Sequence, residues 1–451
     1  MYRILGTLNS VSNIYNMSKN LIQLGSELIF DKDKIEMIYS ILYSLDYFDL
    51  IKFNNLKVNE THNIVKVRVN NTILNIVNKT HNTITDTNTY INDKIKCEYI
   101  YVIKSIETYI YLAQLDKSCD FDGTIYSNLI SLCCNNDNLY ISNNKLNNIE
   151  RRKIITNHIK QTMNITNIEN INNDIHLLFI NLSKISNGLI CVNINNPIRE
   201  FLCKLYLKLF SGINNPTTEQ IEIYINIIKK IEQIDINTDD NYIKNIYINK
   251  ILTNNEKLLI SDNLYILLFT IVKLYSYLIS IIIFYDKLTD EEQLLIQNDN
   301  NILDFKSNTY INNFVKQVYK YAPVDWLITR INKNKKMEIE TDKGIIFIQP
   351  YSTIFIPLYH INRLNNLNCK ININVSENIN TPIFGLKNNS CIGKILIIPV
   401  VYKFIKQLGN YKYKCVNKNL HYQYEPKKIL LPYHDILISI IEKSKYDERI
   451  N

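Results

Sequence analysis

Towards its C-terminal end the chain reads Phe384-Gly385-Leu386-Lys387-Asn388-Asn389-Ser390-Cys391-Ile392-Gly393. An apolar run of helical length follows, Lys394-Ile395-Leu396-Ile397-Ile398 and then Val400-Val401-Tyr402-Lys403-Phe404-Ile405. A cysteine just ahead of a helix has its ionised form favoured by the positive helix end and by nearby backbone N–H groups. Gly393 lets the chain turn tightly and lets the helix approach a neighbour closely. Phe384 lies seven residues before the cysteine. Two readings stay open on this stretch. Cys391 is either a thiolate ligand to a metal centre or a buried structural cysteine before a C-terminal helix.

The pattern resembles the haem-binding loop of cytochrome P450, F-G-x-G-x-R-x-C-x-G before a long helix. Two positions depart from it: Lys387 stands for the second Gly, and Asn389 for the Arg that pairs with a haem propionate. Upstream segments extend the resemblance in the expected order. Tyr321-Ala322-Pro323-Val324 followed by Arg330 is similar to the "Y-P-P-V" segment and its propionate-contacting Arg. The run from Ile348 to Arg363 is similar to a strand pair leading into a short helix. Within that run Ile354 to Leu358 reads as a strand, and Pro357 predicts an edge position for it.

The departures are informative. The family's K helix carries E-x-x-R, and the aligned positions here are Lys316 and Tyr319. The Arg of the "P-E-R-F" meander has no counterpart between Arg363 and Phe384. Losing the three charges together is physically coherent, because stranding one partner of a buried ion network costs roughly 3–5 kcal/mol, whereas removing the whole set can be nearly neutral. The Cys loop is then expected to be positioned by other contacts. In the family's oxygen-activating I helix, A-G-x-x-T delivers protons. The matching segment here runs through Thr270-Ile271 with no Gly to kink it. Thr270 and Ser276 are the candidate catalytic alcohols, with Tyr275 beside them; they read equally as ordinary polar residues of a core helix. A faint match to the C helix around Asn148 to His158 offers Lys153 for a propionate, as a point charge without the fork of Arg. Arg151 and Arg152 are alternatives for that role.

The resemblance implies a mainly α fold with small β lobes, made as a single domain over residues 1–451. It implies haem b with its iron axially ligated by Cys391, and Lys153, Arg330, Phe384 and Gly393 around the cofactor. It implies a monooxygenase acting on an apolar small molecule such as a lipid or sterol, bound against the helix Leu264–Leu288. The altered I helix leaves peroxide-dependent or isomerase chemistry, or a degenerate member without turnover, as alternatives. A wholly unrelated helical interaction protein stays open if no haem binds. The element pattern agrees, with strand-like alternation near Ile64 to Val69, helical runs such as Ile221 to Ile236, and strands again between Met337 and Leu358.

Composition bounds the rest. Asn and Ile are abundant, Tyr outnumbers Phe 32 to 15, and there are only 9 Gly and 9 Pro. Such usage reads as the codon bias of an AT-rich genome, of the kind large DNA viruses and some protists carry. A net charge of +8 without a dense basic tract gives no nucleic-acid signature. The resemblance implies a basic face around the Cys loop, with Lys387, Lys394, Lys403 and Lys406 near it, for an acidic electron donor such as a ferredoxin, flavodoxin or reductase domain. The N-terminal residues hold no apolar stretch of membrane-span length, so a soluble, cytoplasmic protein is expected. Nine cysteines without regular spacing, Cys133-Cys134 among them, fit reduced thiols rather than a disulfide framework. No P-loop, dinucleotide fingerprint, zinc motif or nucleophile elbow competes. The seven His, from His62 to His434, are scattered, and His360 reads as structural.

Overall fold

A computed structural model describes the chain at residues 64–68, 99–121, 153–233, 255–300, 307–362, 371–374, 384, 391–416, 422–423, 431–432 and 435–443, with short gaps inside some of these ranges. Lys387, Asn389, Arg151, Arg152 and the Cys133-Cys134 pair lie outside the described residues. The elements, in chain order, begin with β1 (Ile64–Arg68), β2 (Tyr99–Ile103), α1 (Ile106–Gln114) and β3 (Asp120–Phe121). Next come α2 (Ile165–Ser186), β4 (Val192–Asn193), α3 (Asn195–Phe210), α4 (Thr218–Gln233), α5 (Asn255–Tyr285), α6 (Asp290–Asn298) and α7 (Tyr310–Tyr321). The C-terminal part holds β5 (Ile328–Ile331), β6 (Met337–Thr341), β7 (Gly344–Ile348), β8 (Thr353–Ile356), α8 (Leu358–Ile361), α9 (Lys394–Leu408), β9 (Tyr411–Cys415), β10 (Tyr422–Gln423), β11 (Leu431–Pro432) and β12 (Leu437–Glu442). They fall into two compact units, residues 1–125 with 327–365 and residues 126–326 with 366–451.

The first unit is built on a five-stranded sheet of order β1-β2-β8-β5-β3. Pro357 predicts an edge for β8, yet β8 runs between β2 and β5, parallel to the first and antiparallel to the second. The reason is position. A proline weakens a strand only where the ladder needs its N–H. β8 ends at Ile356, and Pro357 falls one residue later, where its carbonyl accepts the Ile361 N–H and opens α8. Tyr101 on β2 is buried, and its hydroxyl donates to the Phe347 carbonyl while accepting from the Gln349 N–H, both at 3.3 Å. That ties the sheet to the end of the β6–β7 hairpin.

The second unit is a helical bundle with a three-stranded antiparallel sheet, β4-β12-β9. α5 is its axis and packs against α3, α4, α7 and α9. It starts at Asn255 rather than the expected Leu264 and ends at Tyr285, because the next helix begins with a capping box: the Thr289 hydroxyl accepts the Glu292 N–H and the Glu292 carboxylate accepts the Thr289 N–H. From Thr270 onward nearly every α5 side chain is buried, which an apolar helix surface on all sides requires. α4 starts at Thr218, ahead of the predicted Ile221. α2 is capped by Asn164, whose side chain accepts the Asn167 N–H at 2.8 Å. It ends through Asn187 and Gly188, both left-handed at φ 46° and 71°. Gly188 then donates to the Ile440 carbonyl of β12, a close approach that a side chain would obstruct. Phe179 of α2 sits 5.1 Å from Phe404 of α9 and 5.4 Å from Tyr411 of β9, so one ring joins all three elements. α9 continues through Pro399, which cannot supply the N–H that would bond Ile395.

The end of α9 is locked to α6. The Gln297 amide donates to the Tyr285 hydroxyl and to the Ile405 carbonyl, each at 3.0 Å. Gly409 leaves the room: a Cβ there would overlap that amide. Gly409→Ala is therefore expected to lower stability by about 1–3 kcal/mol in denaturant titration by displacing that amide from its two bonds, with little further loss when Gln297→Ala is added. Cys415 on β9 is buried, and burial pushes its thiol up to about 12. Thiol reagents at a mildly alkaline pH are expected to modify exposed Cys191 rapidly and Cys415 only on unfolding, as read by peptide mass mapping.

Candidate functional site

Cys391 sits two residues ahead of Gly393, the residue that caps the start of α9. Its sulfur accepts hydrogen bonds from the backbone N–H groups of Gly393 and Lys394. Those donors are the unpaired groups of a helix start, so the local chain that makes the helix also makes a receptor for negative charge. The Cys391 N–H donates back to the Phe384 carbonyl at 2.5 Å, closing the loop between the two. Cys391 and Phe384 are half-buried and Gly393 is buried. Without a metal, burial raises the thiol; Lys273 and the two N–H donors pull against that, and Asp325 adds to it.

The wall beside this loop is α5. A Cβ on Gly393 would lie 2.6 Å from Thr270 Cγ2 and 3.0 Å from Thr270 Oγ1, so α5 and the start of α9 meet at this glycine. One turn along α5, Lys273 forms an ion pair with Asp325 at 2.8 Å, half-buried on both sides. A further turn on, the Tyr277 hydroxyl donates to the Val315 carbonyl of α7 at 2.8 Å, and burial holds it far above the usual phenol range. Thr270, Lys273 and Tyr277 thus form one stripe. Ser276 is buried but lies six residues from Thr270, about 9 Å along the axis and about 120° round it. The structure therefore brings Thr270, Gly393, Cys391 and Phe384 together and leaves Ser276 off that face.

No family model matches the sequence, and no curated protein matches it. Solved structures do match. A zebra fish cytochrome P450 with abiraterone aligns at TM-score 0.63 and 10% identity, over 87% of this chain and 99% of that one. A six-coordinated cytochrome P450 from Thermus thermophilus aligns at 0.58 and 12%, over 76% and 93%. A variant of cytochrome P450 OleT in complex with arachidonic acid aligns at 0.56 and 10%, over 76% and 89%. The chain has the cytochrome P450 fold. It is mainly α with small sheets, as the sequence predicts. The chemistry at Cys391 suits a P450 thiolate ligand: the sulfur already has two N–H donors and a cation nearby to hold its charge once it is deprotonated. Among the described residues no helix of the P450 fold seen here is long and apolar enough to cross a membrane.

The remaining predicted residues lie on other elements. Lys153 is exposed in a helical segment, and Arg330 lies on β5 in the other unit, opposite Phe121 and Ile354. Lys316 and Tyr319, at the E-x-x-R positions, turn to other partners. The Lys316 ammonium donates to the Ser307 carbonyl at 3.2 Å, and Tyr319 meets Tyr277 edge-on at 6.5 Å. Of the lysines expected on a docking face, Lys394 is exposed and Lys403 half-buried, whereas Lys406 donates to the carbonyls of Ile296 and Gln297 and so caps the end of α6. Sequence reasoning passed over Lys273, Asp325, Asn313 and Gln317. Lys273 had a signal, a cation inside an apolar helix. Asn313 and Gln317 had a weaker one, two amides spaced four apart on a helix otherwise split into apolar and charged faces.

Proposed function

We propose that this chain is a haem-thiolate protein of P450 type: Cys391 is the axial ligand of haem b, and an apolar small molecule of lipid or sterol type is oxidised as by a monooxygenase. The observation that carries it is the pair of backbone N–H bonds onto the Cys391 sulfur, in a chain with the P450 fold. Thiolate-ligated haem, when bound, supplies the electron donation that favours O–O cleavage. The chain's own residues do the rest. Gly393 and Lys394 hold the sulfur charged and aimed by their N–H groups. Phe384, tied to Cys391 through its carbonyl, keeps water from it. Thr270 and Ser276 are the α5 alcohols that would hold the proton the reaction consumes. Lys153 and Arg330 are the residues that the resemblance would assign to the propionates. The apolar residues of α5 bind the substrate. Lys394 and Lys403 face an acidic electron donor, a ferredoxin, flavodoxin or reductase domain. Residues 1–451 are read as a single domain of this type.

A second reading has a specific observation behind it. From Thr270 to Tyr285 α5 carries neither a carboxylate nor an amide that could pass protons to bound oxygen. Peroxide-dependent or isomerase-type turnover needs less of that apparatus. The test is turnover of fatty acids and sterols with a reductase system and, separately, with hydrogen peroxide. Product only with the reductase supports monooxygenation, product only with peroxide supports the second reading, and haem binding without product in either leaves a binding protein.

A further inference from the structure

The chain that leads into the Cys391 loop is gripped before it gets there. Between Asn366 and Phe384 the described residues are Ile371 to Asn374, and α7 holds them with two amide side chains. Gln317 makes both bonds of an amide pair with the Asn372 peptide: its Nε2 donates to the Asn372 carbonyl at 2.5 Å, and its Oε1 accepts the Asn372 N–H at 2.8 Å. Asn313, one turn earlier on the same face, donates from Nδ2 to the Ile373 carbonyl at 3.1 Å. Ile371 and Ile373 are buried beside these bonds, and the Asn372 side chain accepts the Asn374 N–H, which bends the chain at this point.

Three features mark this contact as more than generic packing. Gln317 and Asn313 are 1% and 5% exposed, so both amides were taken out of water for these bonds. The Asn313 Oδ1 accepts no hydrogen bond, which costs free energy in a buried position, and an apolar residue there would avoid the cost. The contact is also neutral. A clamp of this kind leaves no stranded charge if it slips, and neither protons nor salt weakens it in the way they weaken an ion network.

We infer that Asn313 and Gln317 are positioning residues for the Cys391 loop: a neutral amide clamp that fixes where the incoming chain passes α7 and so sets the aim of the sulfur. This rests on the haem-thiolate reading. It also supplies the contacts that the missing charges at Lys316 and Tyr319 left unassigned.

The experiment compares the wild-type protein with Asn313→Ala/Gln317→Ala, with Gln317→Glu, and with Lys316→Met, which removes a bond to Ser307 from the same helix. Each is expressed with haem precursor, checked for fold by far-UV circular dichroism, and read in the ferrous carbonyl spectrum. Each is also read haem-free by peptide-resolved hydrogen exchange. The double variant is expected to keep its helicity but lose the red-shifted thiolate band, with exchange in residues 371–391 at least about tenfold faster, as the loss of buried hydrogen bonds lowers the cost of local opening, and the α5 and α9 peptides unchanged. Gln317→Glu, which accepts from the Asn372 N–H but cannot donate, should fall between. Lys316→Met should match wild type. An unchanged thiolate band with unchanged exchange overturns the clamp, as does exchange that rises equally throughout the unit. If wild type itself shows no thiolate band, the haem reading fails. The clamp is then judged on exchange alone, local loosening supporting it and uniform or absent change overturning it.

Discussion

Cys391→Ser is expected to abolish the red-shifted Soret band of the ferrous carbonyl protein while leaving the fold in place. A neutral hydroxyl is a poor donor to iron where a thiolate is a strong one. The serine oxygen can still accept the Gly393 and Lys394 N–H groups that the sulfur accepts now, and serine is among the preferred residues at helix starts. The apo-protein should therefore melt within about 1 kcal/mol of wild type, and the loss can be assigned to the ligand rather than to unfolding. Haem retention should drop at least about tenfold, since even outer contacts to a metal ligand are worth that much. A variant that keeps the band would move the ligand elsewhere and sink the reading of Cys391. A wild type without haem would sink the catalytic reading as a whole.

Gly393→Ala is expected to destabilise the protein by about 1–3 kcal/mol, the usual cost of overpacking, and Thr270→Ala in the same chain should remove most of that cost. The argument is purely steric. Gly393 has φ −66°, which alanine adopts freely, so no backbone strain enters. The added carbon would lie 2.6 Å from Thr270 Cγ2, a distance that carbon atoms do not tolerate. With Thr270 shortened, the nearest of its remaining atoms is Cβ at 3.4 Å, an ordinary contact. A double-mutant cycle by denaturant unfolding measures the coupling. Additive single effects would mean that α5 and the start of α9 do not meet at this pair. The same variants bear on function, because movement of α5 away from Gly393 carries Thr270 Oγ1 with it.

Much of the site was legible in one dimension because its chemistry is local. Cys391, Gly393 and the helix behind them lie within a few residues, and the rule that a helix start attracts negative charge needs no tertiary information. Phe384 was legible for the same reason, at a fixed spacing on the same loop. The strand at β8 shows where such reasoning stops. Pro357 predicts an edge, but whether a proline disturbs a ladder depends on the residue at which the strand ends, and that boundary is set by pairing with β2 and β5. Ser276 shows it again. Both α5 alcohols are visible in the sequence, and only the packing of α5 on α9 separates the one that meets the Cys391 loop from the one that does not.

By itself, then, the sequence determined the fold class and the helix that follows Cys391. Hydrophobic periodicity, turn residues and helix-end electrostatics act over a handful of neighbours. The tertiary structure decided what stands against that cysteine: Thr270 in the space Gly393 leaves, Lys273 paired with Asp325, and the amides of Asn313 and Gln317 holding the incoming chain. Each is a contact between residues more than 50 positions apart. Its partner is chosen by how whole helices pack, and nothing in the local sequence of either residue names the other.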